Sequence, residues 1–94
     1  MRFILHIQEE AQQDIQDAFD WYEEQRTGLG ERFLEELYPL LKTIAANPQY
    51  YGFVFAGFRD AALKKFPYLV TYRIEGKHVF VNSVRHTRRR STNT

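Results

Sequence analysis

Two β-forming runs separated by one tight turn constrain this chain more than anything else in it. Phe66-Pro67-Tyr68-Leu69-Val70-Thr71-Tyr72-Arg73-Ile74 leads through Glu75-Gly76-Lys77 into His78-Val79-Phe80-Val81-Asn82-Ser83-Val84-Arg85-His86. Val70, Tyr72 and Ile74 alternate with Thr71 and Arg73, which is the period of a strand with one face in a core. The second run is rich in Val and Phe, residues that pack well on a pleated surface. A short gap holding a glycine predicts a β-hairpin. An isolated hairpin is at best marginal in water, so the rest of the chain has to cover one of its faces.

The sequence ahead of the hairpin supplies that cover as two helices. Ala11, Ile15, Ala18, Phe19 and Tyr22 recur at intervals of three and four and predict a helix from about Glu9 to Gln25. Glu9 and Glu10 fall in its first turn, where carboxylates suit the positive end of the helix dipole. Thr27-Gly28-Leu29-Gly30 then makes a tight connection; no strand precedes it and no Lys-Ser/Thr follows, so it is not a phosphate loop. Phe33, Leu34, Leu37, Leu41, Ile44 and Ala45 form the inward stripe of a second helix, from about Glu31 to Ala46. Pro39 interrupts it at a cost of about 3 kcal/mol and predicts a kink near Tyr38. Asn47-Pro48 ends it. Trp21 lies off the first stripe and either covers a rim of the core or meets a partner.

Phe3-Ile4-Leu5-His6-Ile7 reads as a strand with Phe3, Leu5 and Ile7 on one face and His6 as a satisfied or solvated strand residue. Gln49 to Gly57 reads as an aromatic, glycine-punctuated loop leading into a strand of about Phe58–Lys65. The order β-α-α-β-β-β defines an α+β domain: a helical hairpin packed on one face of a small antiparallel sheet. With 94 residues there is room for one domain, 1–94, and residues 88–94 read as a frayed tail. The chain contains no cysteine, which excludes disulfides, thiol catalysis and Cys-type zinc sites. It has no apolar run of the roughly 20 residues a membrane helix needs, and its N-terminus lacks the apolar core of a secretion signal. These features suit a cytoplasmic protein.

A formal net charge of +1 conceals an asymmetry. Residues 1–47 hold 4 basic and 10 acidic side chains, net −6; residues 48–94 hold 9 basic and 2 acidic, net +7. The acids Asp14, Asp17, Asp20, Glu23 and Glu24 read as a solvated helix face rather than metal ligands, because a hard-metal site needs oxygens that converge. The basic half attracts an anionic partner, either nucleic acid or an acidic protein segment. Arg59, Lys64, Lys65, Arg73, Arg85, Arg88 and Arg89 are its candidate partner-binding residues. Lys64 and Lys65 also fit solvated strand-edge charges, and Arg88–Arg90 a solvated tail. Tyr68 and Tyr72 fit hairpin packing better than base-stacking platforms.

Ala11-Gln12-Gln13-Asp14-Ile15, Trp21-Tyr22-Glu23-Glu24-Gln25, Gly28-Leu29-Gly30-Glu31-Arg32-Phe33, Asn47-Pro48, Arg59, Lys65-Phe66-Pro67-Tyr68, Tyr72 and His86 with Arg88-Arg89 follow one another in an order and spacing that resembles the ParE/RelE superfamily of bacterial toxins. The resemblance spans nearly the whole chain. It implies the toxin of a type II toxin–antitoxin or plasmid-stabilisation module, bound by a cognate antitoxin whose tail wraps it, with no metal, cofactor, small-molecule ligand or membrane. Two targets follow from the two branches. ParE-like members poison DNA gyrase and carry no nuclease site. RelE-like members are ribosome-dependent messenger-RNA endoribonucleases with cations on the central strands. Laid on that pattern, the two strand lysines fall on Asp60 and Ala62, the strand arginine on Leu69, and the C-terminal arginine near Thr87, so the resemblance is closer to the ParE-like branch.

Metal-independent RNA cleavage needs a base for the 2′-hydroxyl, an acid for the 5′-oxygen, and cations for the phosphorane. His86 is the candidate base or acid, since imidazole titrates near neutral pH. Arg59, Arg85 and Arg89 are the candidate phosphate clamps, and Asp60 is the nearest candidate carboxylate partner for His86. The other reading of His86 is structural or antitoxin-facing.

Overall fold

A computed structural model describes residues 2–88. Strand β1 (Ile4–Ile7) leads into helix α1 (Glu9–Gln25) and helix α2 (Leu29–Ala46); a short 3₁₀ turn (Pro48–Tyr50) follows, then strands β2 (Phe53–Phe55), β3 (Phe58–Ala62), β4 (Tyr68–Glu75) and β5 (His78–His86). The sheet order is β1-β5-β4-β3-β2. Neighbours from β2 to β5 run antiparallel, whereas β1 pairs with β5 in parallel. The sheet is therefore mixed rather than wholly antiparallel. A parallel neighbour needs a crossover, and the two helices are that crossover.

The helical stripes meet one face of the sheet. Ala11, Ala18, Tyr22, Phe33, Leu37, Leu41 and Ile44 are buried against Tyr68, Val70, Tyr72, Val79, Val81 and Val84. Phe3, Leu5 and Ile7 pack at the margin of that core, on the shared face that alternation requires. Ile15 and Phe19 are half-buried rather than enclosed. Trp21 is 40% exposed and meets Tyr22 edge-on, at a rim of the core.

The helix connection is built by one carboxylate. Glu23 accepts the N–H groups of Gly28 at 3.1 Å and Gly30 at 2.9 Å, donors that the first turn of α2 cannot pair within the helix. Gly28, at φ 90°, takes a left-handed turn that favours glycine. Gly30 is fixed by contact: a Cβ there would lie 2.7 Å from the Phe19 ring and 2.8 Å from the Phe19 carbonyl. With its N-terminus served this way, α2 starts at Leu29, two residues before the apolar stripe suggests. It continues through Pro39. Pro39 and Glu35 are both solvent-exposed, so the carbonyl that proline deprives of a partner is open to water.

Two other sequence expectations change. The segment from Gln49 to Gly57 is not all loop, since it carries the 3₁₀ turn and the three-residue β2. Strand β3 ends at Ala62, and Lys64 and Lys65 sit in the β3–β4 turn rather than on a strand edge. The tail expected from Arg88 onward lies outside the described residues beyond that position.

Strand β5 carries one residue more than β4 can match. Val70 faces Val84 and Thr71 faces Ser83, but Tyr72 faces Val81, which leaves Asn82 as the extra residue of a bulge. Side chains alternate with period two, so one extra residue reverses which face each later side chain takes. Val79 and Val81 before the bulge and Val84 after it are thus all buried on the helix side.

Leu37 is fully enclosed between the helices and the sheet. Leu37→Ala should lower the unfolding free energy by about 2–5 kcal/mol in denaturant titrations; a loss under about 1 kcal/mol would be that of an exposed site.

Candidate functional site

The sheet face turned away from the helices is open. Register places Asp60 and Ala62 of β3 there, with Leu69, Thr71, Arg73 and Glu75 of β4, His78, Phe80 and Arg85 of β5, and Ile4 and His6 of β1. Two side-chain chains stitch its strands together. Thr71 Oγ1 donates to Asp60 Oδ1 at 2.6 Å and accepts from Arg85 Nη2 at 3.3 Å. Arg73 pairs with Glu75 at 2.7 Å, donates to Asn82 Oδ1 at 3.0 Å, and lies over the Phe80 ring at 4.7 Å. Asp60 and Glu75 offset Arg73 and Arg85, so the open face is not a uniformly cationic surface.

The candidate cations go to separate places. Arg59 is turned toward the 3₁₀ turn and β2: its guanidinium donates to the carbonyls of Tyr51 and Gln49 and covers the Phe53 ring at 4.2 Å. Arg85 stands on the open face. His86, after the bulge, follows Val84 onto the helix side, with its ring edge-on to Tyr68 at 5.2 Å and Nδ1 accepting the Arg88 N–H at 3.0 Å. Asp60 does not partner His86; it lies on the opposite face, bonded to Thr71. Arg89 lies outside the described residues. Tyr72 is buried, donates to the Pro48 carbonyl at 2.6 Å, and burial pushes its hydroxyl up to about 12 against the nearby Arg59 charge. It is a fixed core donor and not a proton carrier at neutral pH.

One end of the sheet does collect positive charge. Thr87 N–H donates to the Pro67 carbonyl at 2.7 Å and Tyr68 pairs with His86, which sets the end of β5 beside the β3–β4 turn. Lys64, Lys65, Arg85 and Arg88 share that end. The Glu36 carboxylate accepts the backbone N–H groups of Lys64 and Lys65 and so fixes the turn that carries both side chains. A shallow cavity of about 630 Å³ opens next to it, lined by Leu29, Arg32, Glu35, Glu36, Lys64, Lys65 and Phe66. Among the described residues Arg73–Glu75 is the one direct ion pair, and Lys64, Lys65, Arg85 and Arg88 are all solvent-exposed.

Asp14 is a structural residue that the charge pattern conceals. Strand β1 stops opposite Val81, and beyond that point the Asp14 carboxylate on α1 accepts the Val84 N–H at 3.0 Å. Burial raises the Asp14 carboxyl above its ordinary value; the Val84 hydrogen bond and Arg85 pull it down, while Glu10 and Asp17 add to the rise. Among the described residues no three His, Asp or Glu side chains converge as a metal centre, and no helix is long and apolar enough to cross a membrane.

Residues 5–91 match a family model described as the ParE toxin of the type II toxin–antitoxin system parDE. This chain belongs to the ParE toxin family. The fold agrees: a solved structure described as the chromosomal ParDE TA system from P. aeruginosa superposes with a TM-score of 0.81, covering 90% of this chain and 96% of that one at 17% identity. At that identity the likeness speaks for the fold alone. No curated protein matches the sequence. As a ParE toxin, the chain has the architecture its motif order implied: two helices on one face of a sheet built around the β4–β5 hairpin.

A raised carboxyl binds its proton more tightly in the folded chain than in the unfolded one. The stability it contributes is therefore present below the ordinary aspartate value and lost as pH rises through the raised folded value. Asp14→Asn keeps an acceptor for Val84 without the charge. Its melting temperature relative to the parent should rise from pH 3 to pH 7, whereas Asp14→Ala at neutral pH should cost about 1–3 kcal/mol by orphaning that N–H. An Asn-minus-parent melting-temperature difference that falls from pH 3 to pH 7 would refute the assignment.

Proposed function

We propose that this ParE toxin arrests growth in the cytoplasm by poisoning DNA gyrase, without cutting RNA, and that a cognate antitoxin neutralises it by laying an acidic segment on the basic end of the sheet. The observation that carries the target is the dispersal of the candidate catalytic groups. Arg59 is committed to loop carbonyls, Arg85 lies on the open face, and His86 lies on the other. The positions where a ribonuclease relative would carry strand cations are Asp60, Ala62 and Leu69. Ala62 and Leu69 are direct cross-strand partners, and Leu69 in turn faces Arg85. One arginine thus stands among an aspartate and two apolar side chains. Each cation missing from a phosphoryl-transfer site forfeits typically about 10²–10³ in rate, and an aspartate there repels the phosphate.

The antitoxin reading rests on charge. Lys64, Lys65, Arg85 and Arg88 gather as exposed cations at one end of the sheet beside an open cavity, which favours an acidic segment with an apolar anchor. Arg59 and Arg73 are engaged inside the toxin and contribute less.

Two measurements on the purified chain test the target. Supercoiling by gyrase should be inhibited, and inhibition should persist in His86→Ala. Cleavage of messenger RNA on stalled ribosomes should be absent. Robust cleavage that is lost in His86→Ala, with gyrase unaffected, would reverse the assignment in favour of the ribonuclease. For the partner, Lys65→Glu with Arg85→Glu should weaken antitoxin binding in calorimetry and flatten its salt dependence; an unchanged affinity and slope would remove the electrostatic part of the reading.

A further inference from the structure

The open face holds a pair of histidines that none of the chemistry above uses. His6 on β1 and His78 on β5 come from strands whose register pairs Ile4 with His78 and His6 with Phe80. Their facing nitrogens, His6 Nε2 and His78 Nδ1, are 2.9 Å apart. Phe80 holds the arrangement from below: its ring stacks on His6 at 4.8 Å with 17° between planes and lies 6.1 Å from His78 at 24°. Arg73 lies over the same Phe80 ring and is paired with Glu75.

We propose that His6 and His78 form a two-nitrogen site for a late first-row divalent ion, Cu²⁺ above all. Metal–imidazole bonds are about 2.0–2.1 Å long, so two donors 2.9 Å apart subtend roughly 90° at one ion. That is the cis angle of tetragonal Cu²⁺, whereas tetrahedral Zn²⁺ needs the nitrogens about 0.4 Å further apart. Imidazole suits both ions, and Cu²⁺ stands above Zn²⁺ in general affinity. In the neutral pair one ring donates its N–H to the other. On binding, that proton passes to the far nitrogen of its own ring, which frees both facing lone pairs for the ion. His78 is exposed and His6 half-buried, so the remaining coordination positions open to solvent, where water completes the shell.

Titration of the full chain with Cu²⁺ and then Zn²⁺ in a calorimeter tests this. One Cu²⁺ should bind per chain, more tightly than Zn²⁺. His6→Asn and His78→Asn should each lower Cu²⁺ affinity about tenfold or more, and His86→Asn should leave it unchanged. Circular dichroism checks that the surface variants stay folded. Cu²⁺ binding weaker than about 1 mM, or binding that survives in the double variant, overturns the site. Zn²⁺ binding as tightly as Cu²⁺ overturns its tetragonal geometry.

Discussion

One extra residue in β5, Asn82, decides what each face of the sheet carries. Without it, strict alternation from Val79 and Val81 would send Ser83 and Arg85 toward the helices and Val84 and His86 to the open side. The bulge reverses that phase, so Val84 closes the core, His86 settles against Tyr68, and Arg85 reaches the open face to bond Thr71. A buried arginine without a partner would cost far more than the local loss of ladder bonds. The bulge is therefore what makes the last third of β5 compatible with both a dry core and a cationic end.

The same phase reversal depends on support from the helices. Beyond Val81, β5 has lost its parallel neighbour, and an N–H left there would be an orphan. Asp14 supplies the acceptor across a sequence distance of 70 residues. Glu23 does the equivalent for the helix connection by serving two N–H groups of the Gly28–Gly30 turn. Glu36 does it for the β3–β4 turn. Three of the acids that give the N-terminal half its net negative charge thus act as backbone acceptors at the places where regular pairing fails, while the remainder of that face is solvated.

This division explains what was legible in the sequence. Helix stripes such as Phe33, Leu37, Leu41 and Ile44, and the alternation of Val70, Tyr72 and Ile74, arise from burial with a fixed period, so they report position directly. Strand β2 does not, because three consecutive exposed residues, Phe53, Val54 and Phe55, show no alternation. The bulge is equally silent: Asn82 is one polar residue in a run of β-formers, and only the partner strand shows that it is surplus. The separation of Arg59 and His86 was hidden for the same reason, since composition counts cations but the register assigns them to faces. Asp14, Glu23 and Glu36 look like their solvated neighbours until the N–H groups they accept are placed.

The parallel pairing of β1 with β5 has a consequence for how such a chain comes into being. Strand β5 lies between β1 and β4, yet it follows all four other strands in sequence. A nascent chain can form its helical hairpin early, but the first strand has no neighbour until residues 78–81 have left the ribosome. Closing β1 on β5 is a contact of high sequence separation, which is slow to form. A product cut short before residue 78 therefore lacks an interior strand of its sheet, and the sheet is completed only once β5 has emerged. The interval is one in which the growing polypeptide is not yet a toxin.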